Sequence, residues 1–175
     1  MLQLSGRFLT DHGLIGLGNA LEGLSETTIA DTGMQTEEDL AMATLNENQA
    51  KLFTDRNWGV ISTIREDGSP QATPVWIDYD GENVLVNSAH GRTKVKNIER
   101  DPRATVTVIP AEDQQSGYVM VSGTATIVEE GALEHIDMLA KKYLGEDKYP
   151  YLGPGEKRVI IQIHPGRIDG YGAGS

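Results

Sequence analysis

The stretch WGVISTIREDGSPQATPVWIDYDGENVLVNS, residues 58–88, decides the fold. Trp58 to Arg65 is rich in β-branched residues and reads as a strand, and Asp67-Gly68 is a hairpin turn. Gln71 to Tyr79 is the return strand. Pro74 within it cannot donate to a ladder, so that strand should lie at an edge or carry a bulge. Asp80-Gly81 turns the chain into a third strand, Val84 to Ser88.

Downstream, Ala104 to Ile109 and Gly117 to Val128 read as strands, the second bent at Gly123. Arg158 to His164 is a last strand that Arg167 to Tyr171 extends. A short helix is expected over Gly91 to Arg100, stopped by Pro102, and a longer one over Ala132 to Leu144 with Leu133, Ile136, Leu139 and Ala140 on one side. Upstream, Thr44-Leu45-Asn46-Glu47 has the form of a capping box, with Thr44 as N-cap and Glu47 reaching back. The helix it opens should run to about Arg56 and bury Leu45, Leu52 and Phe53. Six or seven strands joined mostly by hairpins, with three helices, predict a mainly β (α+β) protein built on an antiparallel barrel.

The 175 residues suit one domain. Residues 1–41 look unlike the rest: one basic residue against seven acidic ones gives −6, and Gly6, Gly13, Gly16, Gly18, Gly23 and Gly33 interrupt every element. Leu14, Leu17, Leu21 and Leu24 have helical spacing, but Gly16, Gly18 and Gly23 each weaken such a helix by up to about 1 kcal/mol. The expectation is a disordered or leader segment over 1–41 and a folded domain over 42–175.

Function classes narrow on composition. The net charge of −11 disfavours general binding to nucleic acid or anionic membrane. There is no apolar run long enough for a membrane helix and no secretory pattern, and the absence of cysteine fits a cytoplasmic protein. His12, His90, His135 and His164 lack ligand spacing, so no metal site is expected.

Chemistry concentrates in NSAHGRTKVKNIERDPR, residues 87–103. This segment follows a strand, passes through small residues and opens a helix, whose N-terminus attracts phosphate. Gly91 allows close backbone approach. Arg92 and Lys94 add full charges at that end, and Ser88 and Thr93 add hydroxyls. Arg92, Lys96 and Arg100 form one stripe of the helix, well away from Lys94, and for Lys96 and Arg100 that stripe reads as a solvated face.

These residues carry a resemblance. From about Trp58 to Tyr171 the chain resembles the pyridoxamine-phosphate-oxidase-like split-barrel superfamily. The likeness rests on Gly59–Thr63, Thr73–Gly81, Asn87-Ser88 and Gly91-Arg92-x-Lys94-x-x-Asn97-Ile98-x-Arg100-Asp101-Pro102-Arg103. It looks most like the branch that uses the deazaflavin coenzyme F420. The resemblance implies a six- to seven-stranded split β-barrel and a homodimer with cofactor sites at the subunit interface. It also implies that Thr73, Pro74, Val75 and Trp76 line the ring system, that Asn87 and Ser88 reach ring or ribityl atoms, and that Arg92 and Lys94 hold the phosphate with Asn97 nearby. The C-terminus, from His164 to Ser175, lacks the Arg-x-x-Pro-like element that grips the vitamer in pyridoxamine phosphate oxidases.

FMN presents one terminal phosphate, whereas F420 carries a phosphodiester followed by carboxylates and needs a wider cationic groove. Arg92, Lys94, Lys96, Arg100 and Arg103 can extend one, which favours F420 over FMN. The expected activity is hydride transfer between F420 and an unsaturated small molecule. An FMN-dependent oxidase or reductase, and a non-catalytic binder of flavin or haem, are the alternatives. No catalytic acid is singled out among His90, Tyr79, Tyr118 and Tyr171. Trp58 and Trp76 can stack on a ring, with core packing as the plainer reading.

Overall fold

The computed structural model describes residues 43–172. Its elements are α1 (Glu47–Thr54), β1 (Trp58–Ile64), β2 (Pro70–Tyr79), β3 (Val84–Ala89), α2 (Thr93–Arg100), β4 (Arg103–Val108), β5 (Gly117–Val128), α3 (Ala132–Leu144) and β6 (Arg158–Gly172). The six strands close into an antiparallel barrel in the order β1-β2-β3-β6-β5-β4. The expected mainly β barrel with three helices is what forms. The expectations for residues 1–41 lie outside the described residues.

Strand alternation sorts the side chains. Ile61, Val75, Ile77, Val84, Val86, Val106, Val108, Val119, Val121, Val159, Ile161 and Ile163 point inward and are buried, and α1 adds Leu45, Leu52 and Phe53 to the same core. The barrel is incomplete between β2 and β3. Their pairing covers only Ile77–Tyr79 against Val84–Val86, so Pro70 to Trp76 pairs with β1 alone. Pro74 therefore sits on an unpaired edge, where its missing N–H does no harm.

Gly123 marks the expected bend. The β5–β6 register shifts between Ser122 and Gly123, and a Cβ on Gly123 would stand 1.9 Å from the His164 carbonyl oxygen. The two segments expected at the C-terminus are one continuous strand, β6.

Three local expectations need correction. The N-cap of α1 is Asn46, whose Oδ1 accepts from Gln49 N at 2.9 Å while Gln49 Oε1 accepts from Asn46 N at 3.0 Å. This capping box lies two residues beyond the Thr44–Glu47 one, with an amide in each role. Helix α2 starts at Thr93, so Arg92 is its N-cap rather than a residue of its first turn. On α3, Leu133 is exposed, whereas Ala132, His135, Ile136, Leu139, Ala140 and Tyr143 are buried. The helix packs a partly polar face on the barrel, and an apolar periodicity count cannot register His135.

Tyr143 shows how α3 is fastened. Its ring stacks on Trp76 at 5.0 Å, its Oη accepts from Ile77 N at 3.1 Å, and the hydroxyl donates to the Asn57 carbonyl. Burial pushes this phenol up to about 12, so it stays protonated.

Candidate functional site

The barrel's split and the start of α2 build one site. Gly91 has φ of +81°, a left-handed turn that delivers the chain from β3 into α2. No acidic residue lies in the first turn of α2, and the N-cap Arg92 offers no side-chain cap. The helix's leading N–H groups are therefore not answered by a local carboxylate.

Lys94 is the unusual residue. It lies on the inner face of α2 with Val95, Asn97 and Ile98, and it is only 8% exposed. It has no hydrogen-bond or ion-pair partner among the described residues. Burial, with Arg92 and Arg158 nearby, lowers its pKa.

Arg158, at the start of β6, has its guanidinium buried. Its Nε and Nη2 donate to Asn87 Oδ1 at 2.8 and 2.6 Å, and Nη1 donates to Glu156 at 2.5 Å. Its guanidinium also lies 5.3 Å from the Tyr149 ring centroid. Glu156 reaches Arg92 at 3.5 Å with its other oxygen. Arg158 and Arg92 thus share one carboxylate, and Lys94 has none. Ser88 Oγ is buried with no hydrogen-bond partner among the described residues. Buried polar groups are almost always satisfied, and buried charge is almost always paired. A hydroxyl and a cation are both left open within one strand–turn–helix unit, which makes it a candidate anion site.

The other residues expected at the site divide into three groups. Asn97 donates to Thr63 at 2.9 Å, Thr63 donates to Gln71 at 2.9 Å, and the Gln71 amide donates to Thr73. That chain orders Thr73 on β2 and ties it to α2. Val75 is core, Pro74 faces outward, and Trp76 is packed on Tyr143 and Tyr149. What the Thr73–Trp76 segment offers a ligand is its unpaired backbone edge. Asn87 is wholly engaged within the protein: its Oδ1 takes both Arg158 bonds, and its Nδ2 donates to the Ala132 carbonyl at 2.8 Å and meets His135 Nδ1 at 3.2 Å.

The outer cations differ from the simple groove read from sequence. Arg103 is held by Asp101 at 2.9 and 2.7 Å, and Arg103 in turn holds that carboxyl down to about 2. Arg100 donates to the Ile64 carbonyl at the end of β1. It ties helix to strand while staying exposed to solvent. Arg65, Lys96 and Arg100 line an open pocket of about 540 Å³ with Glu66, Asp67, Thr93 and Asn97.

Among the unassigned candidates, His90 pairs with Glu129 at 2.9 Å, and Tyr79 donates to the Gly81 carbonyl at 2.8 Å. Tyr118 and Tyr171 face each other across β5 and β6 on the outside. Arg158, Glu156 and His135 are the site residues that sequence reasoning missed.

The sequence model of the family described as Pyridoxamine 5′-phosphate oxidase matches residues 45–171. Among solved structures, one titled F420 Reductase is 26% identical, with a TM-score of 0.62 over 71% of this chain and 98% of that one. A conserved hypothetical protein from Mycobacterium tuberculosis is 23% identical, with a TM-score of 0.59 over 75% of this chain and 87% of that one. General Stress Protein 26 from Bacillus anthracis is 24% identical, with a TM-score of 0.54 over 71% and 91%. The last two are alike in fold alone. Among the described residues, no helix is long and apolar enough to cross a membrane.

Proposed function

The chain belongs to the pyridoxamine 5′-phosphate oxidase family, and we propose that within it the protein is an oxidoreductase using coenzyme F420 to reduce an unsaturated small molecule. The observation that carries this reading is the buried, unpartnered Lys94 between Arg92 and Arg158, beside the open Ser88 hydroxyl. Together with the helix N-terminus these groups suit the cofactor's phosphate. The unpaired edge of β2 from Thr73 to Trp76 offers backbone donors and acceptors to a heterocycle. The pocket at Arg65, Lys96 and Arg100 suits further carboxylates, as F420 has and FMN lacks. The likeness to an F420 reductase supports the same choice. When bound, F420 would supply the hydride; Arg92, Lys94 and Arg158 would hold its phosphate, and the β2 edge from Thr73 to Trp76 would orient its ring.

A second reading, FMN, is favoured by the neutralised Arg103 and the tied Arg100, which leave the strongest charge at one compact point. Titration with each cofactor, followed by its fluorescence, separates the two. F420 binding at least tenfold tighter than FMN is the expected result, and the reverse order overturns the choice.

The working unit is proposed to be a homodimer. Over β1, β2, β4 and β5 the outward residues Trp58, Val60, Ser62, Ala72, Pro74, Trp76, Thr105, Thr107, Tyr118, Met120 and Ser122 are uncharged, and the charged outward residues of these strands, Asp78 and Arg103, stand near the end of β2 and at the start of β4. Trp58 is 57% and Val60 39% exposed. A face of this kind, continuous with the β2 edge, suits a second copy of the chain.

A further inference from the structure

We infer that His135 is a positioning residue for the anion site: by accepting an N–H of Asn87 it fixes the amide that holds the Arg158 guanidinium in place. The inference rests on the reading of the site given above. His135 itself touches no proposed ligand.

The donors and acceptors leave one arrangement. A guanidinium only donates, so the Asn87 atom 2.8 and 2.6 Å from Arg158 must be the oxygen. A carbonyl only accepts, so the Asn87 atom 2.8 Å from the Ala132 oxygen must be the nitrogen. The second N–H of that nitrogen meets His135 Nδ1 at 3.2 Å. Nδ1 must therefore carry the lone pair, and the ring is neutral with its proton on Nε2.

The surroundings keep it so. His135 is 2% exposed, and Nε2 has no hydrogen-bond partner among the described residues. The charged groups around the ring come from three elements. Asp78 of β2 stands 3.9 Å from Nε2, Lys142 of α3 stands 3.7 Å from the same carboxylate, and Arg158 belongs to β6. Burial is the largest influence and lowers the His135 pKa; Asp78 opposes it, and Lys142 and Arg158 reinforce it.

Protonating Nδ1 would set an N–H against the Asn87 N–H. Turning the amide over does not help: it points the oxygen at the Ala132 carbonyl and the NH₂ group at Arg158, so two clashes replace one. The neutral imidazole and the held guanidinium are one hydrogen-bonded unit. Acidification should therefore loosen Arg158 and weaken anion binding through a group that never meets the anion.

The test measures FMN and F420 affinity by fluorescence from pH 7.5 down to the lowest pH at which the chain stays folded, for wild type, His135→Asn, His135→Leu, Arg158→Gln and Lys94→Met. Asparagine places an amide oxygen near the position of Nδ1 but does not titrate; leucine removes the acceptor. At pH 7.5, His135→Leu should bind about tenfold more weakly and His135→Asn within about threefold of wild type. The wild-type Kd divided by the His135→Asn Kd should rise as pH falls; the ligand's own ionisation cancels in that ratio. A flat ratio overturns the inference, and it still decides the matter if His135→Leu fails to fold. If Arg158→Gln and Lys94→Met weaken binding but neither His135 variant departs from wild type, the inference falls and the anion site stands. If Arg158→Gln and Lys94→Met change nothing, or neither cofactor binds wild type, the site reading fails and this inference fails with it.

Discussion

Replacing Lys94 by methionine separates what this residue does for binding from what it does to the fold. Methionine keeps most of the buried stem's volume and removes the charge, so packing is largely preserved. In the folded chain, burial and the two neighbouring arginines lower the Lys94 pKa. The unfolded chain holds that proton more tightly, so the charge disfavours folding. This penalty is fully present below the folded pKa and fades as pH rises from there towards the unfolded value. At pH 7 the variant without cofactor should therefore melt at or above the wild-type temperature. Binding should move the other way. A charge-assisted hydrogen bond contributes about 1.5–3 kcal/mol, which is roughly a 10- to 100-fold loss in affinity. The two effects meet in one assay. At a cofactor concentration 100 times the wild-type Kd, wild type gains about 2.7 kcal/mol of stability, whereas the variant should gain only about 0.4–1.4 kcal/mol. Thermal melts with and without cofactor, beside a fluorescence titration, read all three quantities. A variant that melts lower without cofactor yet binds it as tightly as wild type would refute both the buried-charge argument and the assignment of the phosphate.

Four further outcomes follow from the same structure. Gly123→Ala would put a methyl group 1.9 Å from the His164 carbonyl oxygen, so it should cost about 3 kcal/mol or more in chemical denaturation, and a loss under 1 kcal/mol would mean the bulge adapts freely. Tyr143→Phe leaves Ile77 N and the Asn57 carbonyl without their buried partner; a loss of about 1–3 kcal/mol is expected, and an unchanged denaturation midpoint would count against this fastening of α3. Light scattering should report two chains per particle, and Val60→Glu, in the middle of the uncharged outer face, should yield monomers with weakened cofactor binding; a monomeric wild type that binds cofactor tightly would refute the dimer. A chain beginning at Met42 should keep the melting temperature and cofactor affinity of the full chain, and losing either would show that residues 1–41 support the body.

The barrel was legible because its signals are local. Asp67-Gly68 and Asp80-Gly81 mark turns, β-branched runs mark strands, and Pro74 and Gly123 mark places where a regular ladder cannot continue. Each of these acts within a few residues. The proposed anion site was half legible for the same reason: Gly91, Arg92 and Lys94 belong to one strand–turn–helix unit. Arg158 was not, because it lies 64 positions beyond Lys94 and reaches the site only through the pairing of β3 with β6, Ala89 opposite Arg158. His135 was read as an unassigned histidine, and α3 was read by its leucines. What gives His135 meaning is Asn87, 48 residues away. Arg100 and Arg103 illustrate the opposite error. Counted as charges, they widen the groove; in the fold, one ties a strand end and the other is neutralised two residues from itself.

The same contrast bears on how a chain of net charge −11 would hold the proposed anion. Long-range attraction would fail against that background, because charges separated by more than about 10 Å are screened at ordinary salt. Selectivity must come from short-range, desolvated contacts. The structure concentrates its resources accordingly. Arg158 is buried and oriented by Asn87, Lys94 is buried and left without a counter-ion, and Glu156 balances only part of the charge. Each of these choices costs folding stability, and a buried hydrophobic core of this size can bear that cost. The expectation that follows is specific: raising ionic strength should weaken cofactor binding far less than Lys94→Met does. A steep salt dependence equal to that of an exposed cationic patch would mean that the outer pocket at Arg65 and Lys96, and not the buried cluster, carries the affinity.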